Sequence, residues 1–300
     1  MTDLVPALDV GGTKIAGAVV ERGGAVRRAV RVATPLGSAE QTWDAVASVV
    51  DEVLRGEVVA GVGIASAGPV DADAGTVSPI NVPGWRGFPL RERVAAVLPG
   101  VPVELAGDGP CMALGEHWLG AGRGSRFMLG LVVSTGVGGG LVLGGRLFGG
   151  RTGNAGHIGH VVVEPDGEPC TCGGRGCAET VAGGPRMVAW ARRQGWQAPD
   201  DADAAVLAAA AGAGEEIPKA AFERAGRAVG LAIAATAAVV DLDLAVVGGG
   251  VTQAGDLLFD PIRRAVADHC GLFYLDGLRV EPARLGGRAG LVGAAALVLG

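Results

Sequence analysis

FMLGLVVSTGVGGGLVLGGRLF, residues Phe127–Phe148, decides how the rest of the chain reads. An apolar run, Phe127–Val133, enters a turn of Ser134, Thr135 and glycines. A second run, Gly140–Leu143, follows, and a third, Arg146–Phe148, lies beyond Gly144 and Gly145. Short apolar runs parted by glycine pairs read as strands joined by hairpins. The same pattern occurs earlier: Leu4–Val10, Lys14–Val20 and Ala25–Val32 are parted by Gly11-Gly12 and Gly23-Gly24. After the first set come an amphipathic helix (Thr42–Leu54), a strand (Val58–Ala65), a helix (Leu90–Leu98) and a strand (Val101–Leu105). After the second come a strand over Val161–Glu164 and helices over Pro185–Gln194, Ala202–Ala211 and Lys219–Val240. The buried strand Leu244–Val247 then runs into three glycines. A helix (Pro261–Ala267), a strand (Leu278–Pro282) and an Ala-rich terminal helix (Gly290–Leu299) close the chain. A β-β-β-α unit that occurs twice predicts an α/β chain of two similar lobes facing a cleft. The boundaries drawn are a small N-terminal lobe of residues 1–107 with the terminal helix 290–300, and a large lobe of 108–289.

Composition fits this plan. The 300 residues suffice for two lobes at roughly 100–200 residues each. Glycine makes up 54 of them, far above the usual ~7%. There is no G-X-Y period, so the glycines mark tight turns and close backbone approach. The net charge is −6 and no Lys/Arg run occurs, which argues against nucleic acid or a membrane as partner. Val229–Val240 is too short to span a bilayer and meets Asp241 and Asp243. The N-terminus runs straight into a strand, which reads as a chain without a signal peptide and predicts a cytoplasmic protein. Three of five cysteines fall within eight positions. That suits a metal site in a reducing compartment better than a disulfide framework. Cys111 and Cys270 read as small core residues.

Several stretches carry chemistry. In DVGGTK (Asp9–Lys14) a strand ends on Asp9 and reverses on Gly11 and Gly12, which lets backbone N–H groups, Thr13's included, approach phosphate oxygens. Lys14 adds a compact charge, and it is one of two lysines against 23 arginines. Asp9 can join a Mg²⁺ shell; a plain hairpin is the alternative. In STGVGGG, Ser134, Thr135, Gly136 and Gly138 offer hydroxyls and free N–H groups to the terminal phosphates of ATP, or form a plain glycine turn. Gly248 and Gly249, at the end of a strand, leave room for adenine or ribose. Asp108, between a strand and the helix-like run MALGEHWLG, reads as an N-cap or as the carboxylate that takes a hydroxyl proton. His160, Cys170, Cys172 and Cys177 form a closed set of four soft ligands, hence a structural zinc site; the alternative is a His160 that contacts ligand beside free thiols. Glu179 follows as an acceptor for sugar hydroxyls. His157 joins His160 or fills space. Asn81 and Asn154 are the chain's two asparagines, and Asn81, between two prolines, reads as turn chemistry or a polyol contact. Trp85 reads as packing.

Taken in order, DVGGTKIAGAVV, GIASAGPVD, INVPGW, the Asp108 segment, STGVGGG, GHIGH, CTCGGRGCAE, VVGGGV and RAGLVGAAAL make the chain resemble, over its whole length, the ROK family (repressors, open reading frames, kinases) of sugar kinases. The cysteine motif preceded by IGH is specific to that family. The resemblance implies a two-lobed hexokinase/actin-like (ribonuclease-H-like) fold with a central cleft and a structural zinc. It implies ATP and Mg²⁺ as cofactors, phosphoryl transfer to a sugar, usually at the 6-hydroxyl, and a homodimer or tetramer. It makes Asp108 the catalytic base, His160 with the three cysteines the zinc ligands, and His160 and Glu179 sugar contacts. Gly68 and Asn81 fall on its sugar-binding loops.

Two departures stand out. The family's Asn-Asp-x-Asn reads Gly107-Asp108-Gly109-Pro110 here, and its Glu-x-Gly-His reads His157-Ile158-Gly159-His160. Bacterial N-acetylmannosamine kinases resemble the chain in that second feature, where a neutral imidazole replaces a carboxylate. The expectation is an ATP-dependent kinase for the 6-hydroxyl of a hexose or N-acetylhexosamine, with N-acetylmannosamine first and glucose close behind. The alternative is a catalytically silent sugar-binding regulator. Asp9 lies too near the start for a preceding DNA-binding domain, so nucleic acid is not an expected partner.

Overall fold

Three antiparallel strands open the chain: β1 (Leu4–Val10), β2 (Lys14–Glu21) and β3 (Val26–Ala33). The structure, a computed structural model, describes residues 4–35 and 37–299. In β3 half-buried and exposed residues alternate strictly, the period-two signature of an edge strand. Helix α1 (Ala39–Leu54) begins with a capping box, in which the Gln41 N–H donates to Ser38 Oγ and the Ser38 N–H to Gln41 Oε1. Its Val46, Val49, Val50 and Val53 face the sheet at helical spacing. Then come β4 (Val62–Ser66), the short hairpin β5 (Val70–Asp71) and β6 (Thr76–Val77), α2 (Leu90–Val97), β7 (Val103–Gly107) and α3 (Asp108–Leu119).

The second part begins with β8 (Phe127–Val133), β9 (Val137–Leu143) and β10 (Arg146–Phe148). It continues through α4 (Ala178–Ala182), α5 (Gly184–Arg193), α6 (Ala204–Gly212), α7 (Glu216–Val240), β11 (Leu244–Gly248), α8 (Asp256–His269) and β12 (Arg279–Pro282); α9 (Ala289–Leu299) comes last. The two large sheets run β3-β2-β1-β4-β7 and β10-β9-β8-β11-β12. In each the first-entered strand pairs in parallel with a later one. The doubled unit expected from the two glycine-punctuated sets is therefore present as an α/β two-sheet fold.

The chain divides into two compact units: Met1–Gly124 with Gly140–Gly156 and Gly287–Gly300, and Ser125–Gly139 with His157–Gly286. Sequence reading drew its boundary before Asp108, whereas α3 clusters with the first unit. The reason is α9. Gly293 lies so close to α3 that a Cβ there would stand 1.6 Å from the Cys111 carbonyl oxygen. In the first unit alternate β1 residues serve two cores. Leu8 and Val10 pack with α1, while Val5 and Ala7 pack with Cys111 of α3 and Leu291, Ala294 and Ala295 of α9. Asp9 shares the second face by parity.

One element differs from expectation. Val161–Glu164 is not a strand; it makes a single bridge, Val162 to Cys177, while the Val163 and Glu164 N–H groups both donate to the Gly176 carbonyl. Its β-branched residues wrap the cysteine loop. Among the described residues no helix is long and apolar enough to cross a membrane.

Candidate functional site

The first unit gathers its chemistry at one edge of its sheet. Strands β1, β4 and β7 are parallel, and their register aligns Val10 with Ser66 and Ser66 with Gly107. The DVGGTK hairpin, the loop through Gly68 and the start of α3 at Asp108 thus leave three adjacent strands at their carboxyl ends, where open α/β sheets bind ligands. The hairpin is held from within and without. Gly11 N–H donates to the Lys14 carbonyl, and Thr34 donates from its hydroxyl to the Gly11 carbonyl at 2.7 Å and from its N–H to the Thr13 carbonyl. Sequence reading passed over Thr34, because its partners lie across the sheet. Asn81 closes over the same turn: a Cβ on Gly12 would stand 2.3 Å from the Asn81 Cβ. Trp85 is buried, stacked on Phe88 at 4.1 Å, with its indole N–H on the Ala39 carbonyl. It packs, as read.

Asp108 is exposed and is the first helical residue of α3; the N-cap is Gly107. Its Oδ1 accepts from the Gly109 N–H at 2.8 Å. The cap alternative is therefore displaced by one residue. A Cβ on Gly107 would meet the Pro110 ring at 3.1 Å. Gly107 and Pro110, the two changes within the first departure, thus go together, since the ring crowds the space an Asn at 107 would enter.

Asp9 lies beside this carboxylate. Burial first, and the Asp108 charge second, push its carboxyl up to about 6 against the pull of Lys14 and Arg31. Between the ordinary carboxylate value and about 6, the folded chain keeps a proton that the unfolded chain releases. Ionised Asp9 therefore weakens the fold as pH rises. Asp9→Asn should stabilise the protein by about 3 kcal/mol near pH ~8 and by about half that near pH ~5, since each tenfold change in proton affinity is worth about 1.4 kcal/mol. Urea melts at both pH values check this; an equal gain at both, or a loss, would contradict it.

The second unit holds the other motifs. Ser134–Gly136 link β8 to β9, and the Ser134 N–H donates to the Gly136 carbonyl. The Ser134 carbonyl accepts from the Gly184 N–H at the start of α5. Strand β11 lies parallel to β8 with Gly248 opposite Val132, so the Gly248–Gly250 turn adjoins the Ser134 turn. Gly249 has φ 102°, and a Cβ there would stand 2.2 Å from the Val133 carbonyl. No other residue fits.

Glu179 lies in the first turn of α4, right after the Cys177 N-cap. Its Oε2 accepts from the Val137 N–H at 2.9 Å and would stand 2.4 Å from a Cβ on Gly136. The cysteine loop, the carboxylate and the glycine turn are thus locked together.

His160, Cys170, Cys172 and Cys177 bring their ligand atoms within 4.8 Å of one another. Cys172 Sγ to Cys177 Sγ is 3.8 Å, as is Cys170 Sγ to His160 Nδ1. Sulfurs bound to a tetrahedral zinc at about 2.3 Å stand about 3.8 Å apart, whereas disulfide sulfurs lie about 2 Å apart. The donor set fits a closed zinc site. Nδ1 faces the sulfurs, so Nε2 lies on the far side of the ring. His157 is exposed, with its ring 6.0 Å from that of His160 and nearly parallel; it is not one of the four. Cys111 is buried as expected, and Cys270 is half-buried at the end of α8.

The chain is similar to known proteins over nearly its whole length. The model of the ROK family matches residues 5–300. A glucokinase of Streptomyces coelicolor is 35% identical, covering 98% of this chain and 97% of that protein. An N-acetylmannosamine kinase of Yersinia pseudotuberculosis is 34% identical, covering 96% of each. The crystal structure of an ROK glucokinase from Streptomyces griseus in complex with glucose and AMPPNP superposes with a TM-score of 0.82 at 36% identity, covering 98% of both chains. The chain belongs to the ROK family.

Proposed function

We propose that the chain is an ATP-dependent sugar kinase acting on the 6-hydroxyl of a hexose or N-acetylhexosamine. The observation that carries this is the common strand edge of the first unit. There the glycine hairpin leaves β1 and an exposed carboxylate leaves β7, two parallel strands that flank β4 and end at one register. Phosphoryl transfer asks the protein for positioning, charge neutralisation and one proton acceptor. Asp108 takes the proton of the sugar hydroxyl as its oxygen bonds to the γ-phosphorus, and the bond from that phosphorus to the β-phosphate oxygen breaks, releasing ADP. The Gly11 N–H closes the turn on the Lys14 carbonyl, which leaves the N–H groups of Gly12 and Thr13, with the Lys14 ammonium, to hold phosphate oxygens. Ser134, Thr135, Gly136 and Gly138 do the same for the ATP tail, with Gly248 and Gly249 against the nucleoside.

Mg²⁺ supplies charge neutralisation on the phosphates. Asp9 would be the carboxylate for its shell; burial first and the Asp108 charge second raise its pKa, and a bound cation would oppose both. His160, Cys170, Cys172 and Cys177 would hold zinc as a closed, structural site. His160 would use the Nδ1 that faces the sulfurs, which would leave Nε2 to donate to a sugar oxygen. Glu179, Asn81 and the Gly68 loop supply further sugar contacts. His157 chooses the sugar. An imidazole in place of a carboxylate favours N-acetylmannosamine over glucose, and relatives of both kinds lie at similar identity. The reading includes a cytoplasmic homodimer, which light scattering checks.

The test is a coupled ADP-release assay with Mg-ATP and N-acetylmannosamine, glucose, N-acetylglucosamine, mannose or fructose. N-acetylmannosamine should give the highest kcat/KM, and His157→Glu should move the preference toward glucose. Sugar binding by calorimetry with no turnover would replace the kinase with a silent regulator.

A further inference from the structure

We propose that Asn154 is a positioning residue for sugar recognition, holding the loop that carries Gly68. This rests on the kinase reading, in which that loop touches the sugar. The loop leaves β4 at Ser66 and is pinned at its first step, where the Ala67 N–H donates to the Val10 carbonyl at 2.9 Å. It then enters the β5–β6 hairpin, with Val70 opposite Val77 and Asp71 opposite Thr76. Ser78 N–H donates to the Pro69 carbonyl across that hairpin. The Val70 N–H and C=O, one position on, point to the other edge.

Asn154 takes both. Its Oδ1 accepts from the Val70 N–H at 3.0 Å and its Nδ2 donates to the Val70 carbonyl at 2.6 Å. The same Nδ2 reaches the Thr152 hydroxyl at 3.1 Å. A side-chain amide thus imitates a strand residue. The surrounding backbone completes the imitation: Ala72 N–H donates to the Thr152 carbonyl at 3.2 Å. Gly153, at φ 90°, lies so close that a Cβ would stand 2.8 Å from the Ala72 Cβ. Gly68 is thereby held between two anchors, the β1 end on one side and Asn154 on the other. Only an amide offers one acceptor and one donor in this fork. That explains why one of the chain's two asparagines stands here.

The experiment compares the wild-type chain with Asn154→Ala and Asn154→Asp. Aspartate still accepts the Val70 N–H but turns an anion toward the Val70 carbonyl. Removing the fork should raise the sugar KM roughly ten-fold or more while leaving the ATP KM within about two-fold. Amide exchange at Val70 and Ala72 should quicken in both variants. An unchanged sugar KM in an active enzyme would overturn the inference. So would an equal rise in both KM values with a general loss of stability, the mark of a merely structural residue. If the wild-type chain turns over no sugar, the kinase reading fails and calorimetry decides this one. Sugar affinity that drops in Asn154→Ala upholds the positioning role; equal affinity, or no binding, ends it.

Discussion

Asp108→Asn should leave a folded protein that still binds sugar and nucleotide yet turns over about 10²–10⁴-fold more slowly, the usual worth of a positioned general base. Asn keeps the shape and can accept the Gly109 N–H as Oδ1 does now, but it cannot take a proton. The N-cap is Gly107 and the side chain is exposed, so stability should change by no more than about 0.5 kcal/mol. The substitution also removes the charge that helps push Asp9 up. Asp9 should therefore ionise at lower pH in the variant, a readout independent of catalysis. KM values near wild type with a collapsed kcat would identify an interaction made in the transition state. Full activity would remove Asp108 from the chemistry.

The second large effect concerns the metal. Cys177→Ser should take zinc from one equivalent per chain to near none, measured by elemental analysis. A structural zinc site is four-coordinate and closed, and its binding energy is folding energy. Cys177 is buried and is the N-cap of α4. Losing the site should cost about 3 kcal/mol or more, a fall in Tm of roughly 6–12 °C for a chain of this size. Function should follow, because Glu179 sits two residues on and accepts the Val137 N–H at 2.9 Å. Sugar affinity should fall while the first unit's hairpin is untouched. A wild-type protein that holds no zinc, or one whose melting is unmoved by a strong chelator, would contradict this.

Much of this was legible in the sequence, for local reasons. Glycine pairs between apolar runs mark hairpins, so β1–β3 and β8–β10 could be read directly. Soft ligands at short spacing encode their own geometry, so the cluster of His160, Cys170, Cys172 and Cys177 needed no tertiary information. What escaped depends on distant partners. Thr34 steadies Gly11 from 23 positions away, and Asn154 grips Val70 from 84 away; neither distance leaves a local trace. Val161–Glu164 looks like a strand because strand propensity is context-dependent, yet the cysteine loop gives it one bridge. Asp108 reads as a cap because Asp is a good one, and only the structure shows Gly107 in that position. Gly107 and Pro110 look like two losses in sequence, but the 3.1 Å approach ties them into one.

The most direct measurement is phosphorus NMR of a reaction holding the protein, Mg-ATP and N-acetylmannosamine or glucose, with Asp108→Asn run beside it. The expected result is conversion of the γ-phosphate of ATP into a sugar phosphate ester on the 6-oxygen, absent or slowed in the variant. Release of inorganic phosphate alone, or ATP left intact while sugar is bound, would contradict phosphoryl transfer as the work of this chain.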